Sequence, residues 1–301
     1  MMDLHGLVSN PRFIRTGLFF SQHTPERLGH HLAWSAAGLV CRLKPAIYRI
    51  VQANLGQVLG PEAGDRRALN RTTRQVFYTA IRGYYDLFRA WRLPQEQLVA
   101  SVDIPEAVRA VVRSLWNQEG GSVLVVPHLS SFDLGGQAMA FYLPETQVIS
   151  LPDPSPGFQL TNELRRRAGI EVTPLNSAAL RQAIKLLRRG GVVSVGGDRP
   201  VSDLDVPVPF FGRPARVPSG HVRLALKTGA IVVVACCFFS PGTRKYTLHV
   251  EPPLEMIRTG NQDEEVRLNM RRVLDALERI IRRWPEQWQM FVPVWPELLE
   301  A

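Results

Sequence analysis

Apolar and polar positions change rhythm once along this chain. Up to about residue 117, large apolar residues recur at three- and four-residue intervals, the helical period. Phe77, Ile81, Tyr84, Tyr85, Phe88 and Trp91 form one such stripe, Arg71, Arg74, Arg82, Arg89 and Arg92 accompany it, and Pro94 closes it. Segments 13–20 and 32–40 are rich in large apolar residues and predict helices lying on a surface, of the protein or of a bilayer. From Ser122 onward, short apolar runs alternate with amphipathic segments. Strands are expected at 123–126, 147–151, 170–173, 192–195, 231–239 and 246–250. Helices are expected from Asp133 and over 158–168, 177–189, 219–228 and 266–284. In the third of these helices Leu180, Ile184 and Leu187 share a face. Ser219 is read as the cap of the fourth. The fifth turns Met270, Val273, Leu274, Leu277, Ile281 and Trp284 inward.

Such alternation predicts the α/β class, with a mostly parallel central sheet flanked by helices on both faces. A single domain is expected over residues 1–301. Residues 1–117 would form a helical part with a membrane-docking segment, and 118–301 the α/β core. Of the 301 residues 45% are hydrophobic, enough for a sizeable core.

The formal net charge of +9 favours acidic partners: nucleic acid, anionic lipid headgroups or an acidic carrier protein. Charge is the only support for nucleic acid, because no helix-turn-helix, RNP or zinc-finger pattern is present. Cys41, Cys236 and Cys237 make no disulfide framework and suit a reducing compartment. No run of about 20 apolar residues occurs, so no spanning helix is expected. Nor is a secretory signal expected, because Arg12, Arg15, His23, Glu26 and Arg27 interrupt the apolar runs near the start.

The candidate chemistry begins at His128-Leu-Ser-Ser-Phe-Asp133, directly after the first predicted strand. A histidine at a strand end is a suitable general base near neutral pH. A carboxylate within reach would fix its tautomer and stabilise the imidazolium. The spacing equally fits a loop histidine beside a helix cap. Ser130-Ser-Phe-Asp133 has the capping-box pattern, and Ser130 and Ser131 are read as caps rather than nucleophiles.

The H-x-x-x-x-D pattern after an apolar strand resembles the signature of membrane-associated glycerolipid and glycolipid acyltransferases. Further blocks follow in order: Val192-Val-Ser-Val-Gly-Gly-Asp-Arg199, Val208-Pro-Phe-Phe-Gly-Arg-Pro-Ala215, Pro218-Ser-Gly220 with Leu224-Ala-Leu-Lys-Thr-Gly-Ala230, and Pro285-Glu-Gln-Trp288 with Trp295. With Asn54-Leu55, they are similar to the bacterial lipid A biosynthesis acyltransferase family, which includes phosphatidylinositol mannoside acyltransferases.

The resemblance implies transfer of a fatty acyl group from acyl-CoA or acyl carrier protein to a hydroxyl of an anionic membrane lipid or glycolipid. It implies no metal, no other cofactor and no acyl-enzyme, at the cytoplasmic face of the bacterial membrane. By that resemblance His128 is the general base and Asp133 its orienting partner. Where some relatives carry an acid after Phe-Phe-Gly, this chain has Arg213, so a second acid would come from elsewhere, with Asp198 the candidate. Alternatives are a lysophospholipid acyltransferase, a non-catalytic lipid-binding relative and a thioesterase.

Asp198 and Arg199 follow a strand, where open α/β sheets bind ligands. Arg165 and Arg166 are candidates for a donor or headgroup phosphate, and so is Arg213. Arg216, Ser219 and Gly220 stand at a predicted helix start, whose free N–H groups suit a phosphate or an oxyanion. His221 and His249 are read as structural, and His30 and His31 as facing solvent or headgroups.

Overall fold

The computed structural model describes residues 11–91, 93–154, 156–201, 205 and 207–300. Arg92 and the side chains of residues 11–15, on which part of the N-terminal reading falls, lie outside the description. Seven strands form one sheet: β1 (Val102–Asp103), β2 (Ser122–Val126), β3 (Thr146–Ser150), β4 (Glu171–Pro174), β5 (Val192–Gly196), β8 (Ile231–Ser240) and β9 (Lys245–Val250). Their order is β1-β9-β8-β2-β5-β3-β4. All neighbours pair in parallel except β8 and β9, which form an antiparallel hairpin. The central strands are apolar on both faces because both are covered: Val123, Val125, Val193, Val232 and Val234 are fully buried on one face, and Val192 and Val233 are buried on the other. Each such side chain contributes roughly 1.5–3 kcal/mol through burial.

The N-terminal part holds α1 (Pro11–His23), α2 (Glu26–Leu43), α3 (Ala46–Leu59), α4 (Arg66–Ala90), α5 (Gln95–Ala100) and α6 (Glu106–Asn117). It is not wholly helical as expected, because β1 extends the sheet edge by pairing Val102 with Tyr246 of β9. That strand is two residues long, too short to leave a periodic signature. The stripe on α4 packs largely within the N-terminal part, where Phe77 and Ile81 meet Ala37 of α2 and Tyr48, Val51 and Leu55 of α3. Polar residues beside it reach the sheet: Arg82 lies 3.3 Å from the Phe239 ring centroid, and Tyr246 donates to Asp86 at 2.6 Å. His30 bonds Asp86 at 2.8 Å and so does not face solvent, whereas His31 is exposed.

After β2 come α7 (Phe132–Met139), α8 (Pro156–Arg167), α9 (Ser177–Arg188), α10 (Gly220–Thr228) and α11 (Gln262–Arg283). The cores place α6 and α7 on one face of the sheet and α9, α10 and α11 on the other. The α11 side chains expected inward are buried, apart from Trp284, which is partly buried and stacks on Phe238 at 4.0 Å. This helix begins ahead of its expected start because Asn261 caps it, accepting from the N–H groups of Asp263 and Glu264. On α9 the buried face is Ala179, Ala183, Leu186 and Leu187, while Leu180 is turned outward. Ser219 holds the cap position of α10, but its hydroxyl makes no cap bond, as it contacts Asp205 and accepts from Arg223.

A two-stranded hairpin, β6 (Val208–Phe210) and β7 (Arg213–Ala215), packs beside α11. Its turn places Phe211 and Gly212 at φ 50° and 77°, left-handed values that favour glycine at one position and strain the phenylalanine at the other. Phe211 is held there by its N–H, which donates to buried Glu278 at 2.7 Å, and by Arg282 over its ring.

Candidate active site

The β2 strand delivers His128 to the carboxyl edge of the sheet, and β5 delivers Asp198 beside it. His128 Nδ1 lies 2.7 Å from Asp198 Oδ1, and the His128 backbone N–H donates to Oδ2 at 2.8 Å. Trp288 Nε1 donates to the same Oδ2 at 2.8 Å. Asp198 is fully buried. Burial alone would raise its pKa. The His128 charge and side-chain bond, the Trp288 bond and the His128 N–H outweigh this and hold it below the usual carboxylate range. An ionised Asp198 accepts only, so in the neutral ring Nδ1 carries the proton and Nε2 the free lone pair. The ring lies over Gly196, where a Cβ would stand 2.9 Å from His128 Cε1, so a side chain there would displace the imidazole.

The loop after His128 is tied down. Ser130 adopts φ 51°, and its N–H donates to the Gln287 carbonyl at 2.8 Å. The Gln289 N–H donates to the His128 carbonyl at 2.7 Å. Such backbone strain is tolerated where the surroundings over-determine it.

Asp133 is not the partner of Nδ1. It stands on the first turn of α7, facing α8, and takes Arg165 Nε at 2.7 Å and Nη2 at 2.6 Å in a largely buried pair. Nor does the capping box form: Ser131 holds the cap position of α7 without a cap bond. Asn162 accepts from Arg165 at 2.8 Å and fixes the other end of the guanidinium. Arg199 lines the same site without a carboxylate partner among the described residues. Burial pulls its pKa down against the opposing charges of Asp198 and Tyr84.

His128, Asp133, Arg165 and Arg199 border a cavity of about 710 Å³. Its depth is apolar: Val111, Leu115, Leu124, Met139, Leu143 and Val233 line it between α6, α7 and the sheet. Cys236 and Cys237 also line it, and burial raises the Cys237 pKa to about 12 and that of Cys236 well above its usual value, so both are inert thiols. His249 in its wall bonds Glu251 at 3.2 Å. Among the described residues no group of His, Cys, Asp and Glu side chains converges for a metal.

The sequence model of the bacterial lipid A biosynthesis acyltransferases matches residues 14–297. This chain belongs to that family. It is 28% identical over 179 residues to a phosphatidylinositol mannoside acyltransferase of Mycobacterium tuberculosis, covering 58% of this chain and 54% of the relative. It is 25% identical over 252 residues to the protein of the same name from Mycolicibacterium smegmatis, covering 81% and 78%. The chain thus spans about half the length of the first relative.

The blocks that carry the family resemblance converge behind Asp198. Trp288 bonds the carboxylate, Phe211 packs on Trp288, and Phe210 stacks on Trp295. Asn54 bonds the Met290 and Val292 carbonyls and the Val294 N–H, which anchors the C-terminal block to α3. In this member of the family the acid beside the histidine comes from the Gly-Gly-Asp-Arg block. Only a β5 carboxylate placed over the β2 edge reaches Nδ1, and sequence spacing gives no sign of that.

Several other candidates lie elsewhere. Arg166 is exposed and donates to the Val172 carbonyl. Arg213 bonds Gln57 and pairs with Glu297, outside the cavity wall. Arg216 is exposed and donates to the Asp205 carbonyl at 2.6 Å. Ser219 is outside the wall, but Gly220 and His221 are in it. Trp288 is the site residue whose contribution sequence reasoning missed: it was seen as a family block, while its bond to a buried carboxylate has no sequence signal.

Proposed function

We propose that this chain is a membrane-associated O-acyltransferase. It moves a fatty acyl group from an acyl-CoA or acyl-carrier thioester to a hydroxyl of a lipid or glycolipid. The observation that carries this reading is a histidine with a free Nε2, oriented by a buried carboxylate, at the mouth of a deep apolar cavity. The names of the mycobacterial relatives favour a glycolipid acceptor over a lysophospholipid.

The acceptor hydroxyl gives its proton to His128 Nε2 as its oxygen attacks the thioester carbonyl. The tetrahedral intermediate collapses with formation of the ester and rupture of the C–S bond. The imidazolium then returns the proton to the leaving thiolate. Asp198 holds the Nδ1 tautomer and stabilises the imidazolium without itself taking the proton. Arg199, a partly desolvated cation in the wall, is suited to the oxyanion or to a phosphate of the acceptor. Arg165 has its charge compensated by Asp133 and shapes the mouth instead. The acyl chain lies in the apolar depth.

No described helix is long and apolar enough to cross a membrane. The exposed Phe19, Phe20, Leu28, Leu32, Leu39 and Leu43 on α1 and α2 support peripheral docking on a bilayer.

The test is mass spectrometry of products from palmitoyl-CoA, vesicles and phosphatidylinositol mannosides, with lysophospholipid as a second acceptor. Acylated glycolipid is expected, and its loss in a folded His128→Ala variant. Free fatty acid alone would mean a thioesterase. A folded, fully active His128→Ala protein would sink the base assignment.

A further inference from the structure

The α9 and α10 helices lie side by side on one face of the sheet, and neither contains an acidic residue. Arg181, Lys185 and Arg188 recur at helical spacing along α9, and Arg223 and Lys227 along α10. All are exposed. Arg223 contacts the Ser219 hydroxyl, and none of these cations pairs with a carboxylate among the described residues. Ahead of α10, the Asp205 carboxylate accepts from the Ser219 N–H and hydroxyl, and its backbone carbonyl accepts from Arg216. Arg181 to Arg188 spans roughly 10 Å of helix, and packed helices lie about 8–10 Å apart. The result is an exposed basic surface on two helices, which repels itself unless an anionic surface covers it.

This surface is continuous with the cavity. β3 and β5 pair from Thr146 with Val192 as far as Val148 with Ser194. Beyond that, β3 stays with β4 to Ser150 and β5 with β2 to Gly196. Across this parting the cavity wall continues onto the other face of the sheet, where Ile149, Val195, Leu180, Gly220 and Leu224 line it. Leu180 is the neighbour of Arg181 on the first turn of α9, and Gly220 opens α10. A Cβ added at Gly220 would meet nothing within 4 Å. The amino ends of both helices therefore flank an open approach that leads toward His128, with the basic stripes running away from it.

We infer that the α9–α10 face is the docking surface for an acidic carrier protein that presents the thioester donor. Its flexible thioester-bearing arm enters between Leu180 and Gly220. The inference rests on the acyl-transfer reading above. Charge complementarity selects the occupant. A nucleotide handle calls for a concave site with a few converging groups, whereas these cations spread over the outer faces of two helices. The bilayer has its own candidate surface in the exposed apolar side chains of α1 and α2.

The experiment compares palmitoyl-CoA with an acidic bacterial acyl carrier protein charged with palmitate, using the full chain and its Arg181→Glu/Lys185→Glu and Arg223→Glu/Lys227→Glu variants. For the carrier donor, kcat/KM is expected to fall at least about tenfold in each variant and with rising salt in the wild type. For palmitoyl-CoA it should change less than about twofold. Equal losses with both donors would make the surface a nucleotide site. Lost vesicle binding with unchanged carrier kinetics would make it a membrane contact. A wild type that uses palmitoyl-CoA but refuses the carrier thioester overturns the inference and leaves acyl transfer standing. Transfer from neither donor defeats the acyl-transfer reading itself.

Discussion

At the scale of single residues, the site turns on Asp198. Its carboxylate is fully buried and takes three donors, two of them from His128. Asp198→Asn keeps the shape but presents an amide that no longer enforces Nδ1–H. Activity is expected to fall by about 10²- to 10⁴-fold with the fold retained. Asp133→Asn touches only the Arg165 pair and should cost less than Asp198→Asn in kcat under the same assay. If Asp133→Asn proves the more damaging, the orienting role given to Asp198 is wrong. His221 is a second residue of interest. It is buried, neither ring nitrogen has a partner among the described residues, and burial pulls its pKa down to about 4. The unfolded chain takes up its proton near pH 6.5, so the stability tied to the neutral ring is fully present above that pH. It is lost as pH falls toward about 4, a change of roughly 3 kcal/mol. Urea unfolding at pH 5 and 7.5 should show this slope in the wild type and a smaller one in His221→Leu. The same slope in both would refute it. The variant should be no less stable at neutral pH, since an apolar group replaces an unpartnered polar one.

At the scale of elements, the cavity is a product of how α6 and α7 cover one face of the sheet. Leu124 is four residues before His128 on an extended strand, roughly 13 Å away. Val111 of α6 packs into the same deep cluster with Leu115 and Val233. A bulkier side chain there shortens the space for an acyl chain without touching His128. Val111→Trp is therefore expected to depress transfer of a 16-carbon chain while sparing an 8-carbon chain. A uniform loss across chain lengths would mean general misfolding or a different chain path. The period of each major element was legible in the sequence because apolar spacing follows burial: β2, β5, α9 and α11 fall close to their expected positions. The two-residue β1 was not, and at Ser131 and Ser219 the cap positions were legible but the lack of a cap bond was not. A short edge strand has no period, and a cap bond depends on which partner the hydroxyl meets in three dimensions.

At the scale of the whole molecule, the basic net charge and the exposed apolar side chains of α1 and α2 suit an anionic bilayer. Flotation with anionic vesicles should retain the wild type, and Phe19→Glu/Leu39→Glu should weaken binding several-fold. Retention unchanged by these substitutions would move the docking face elsewhere. The distant blocks are held as one body by bonds that cross the chain, such as Asn54 to Met290 and Val292, and Arg82 to Phe239.

The linear chain was sufficient for the α/β class, the alternating elements, His128 at a strand end and the family blocks, because each is written in local spacing. The partner of His128 was not readable there. Asp198 reaches Nδ1 only because β2 and β5 lie side by side in register, from Ser122 with Val192 to Val126 with Gly196. Asp133, five residues away in sequence, is turned aside because α7 packs on α8 and meets Arg165. Proximity along the chain sets the direction of a helix, but which charges meet depends on strand pairing and helix packing. Those forces decide both the dyad and the cavity beneath it.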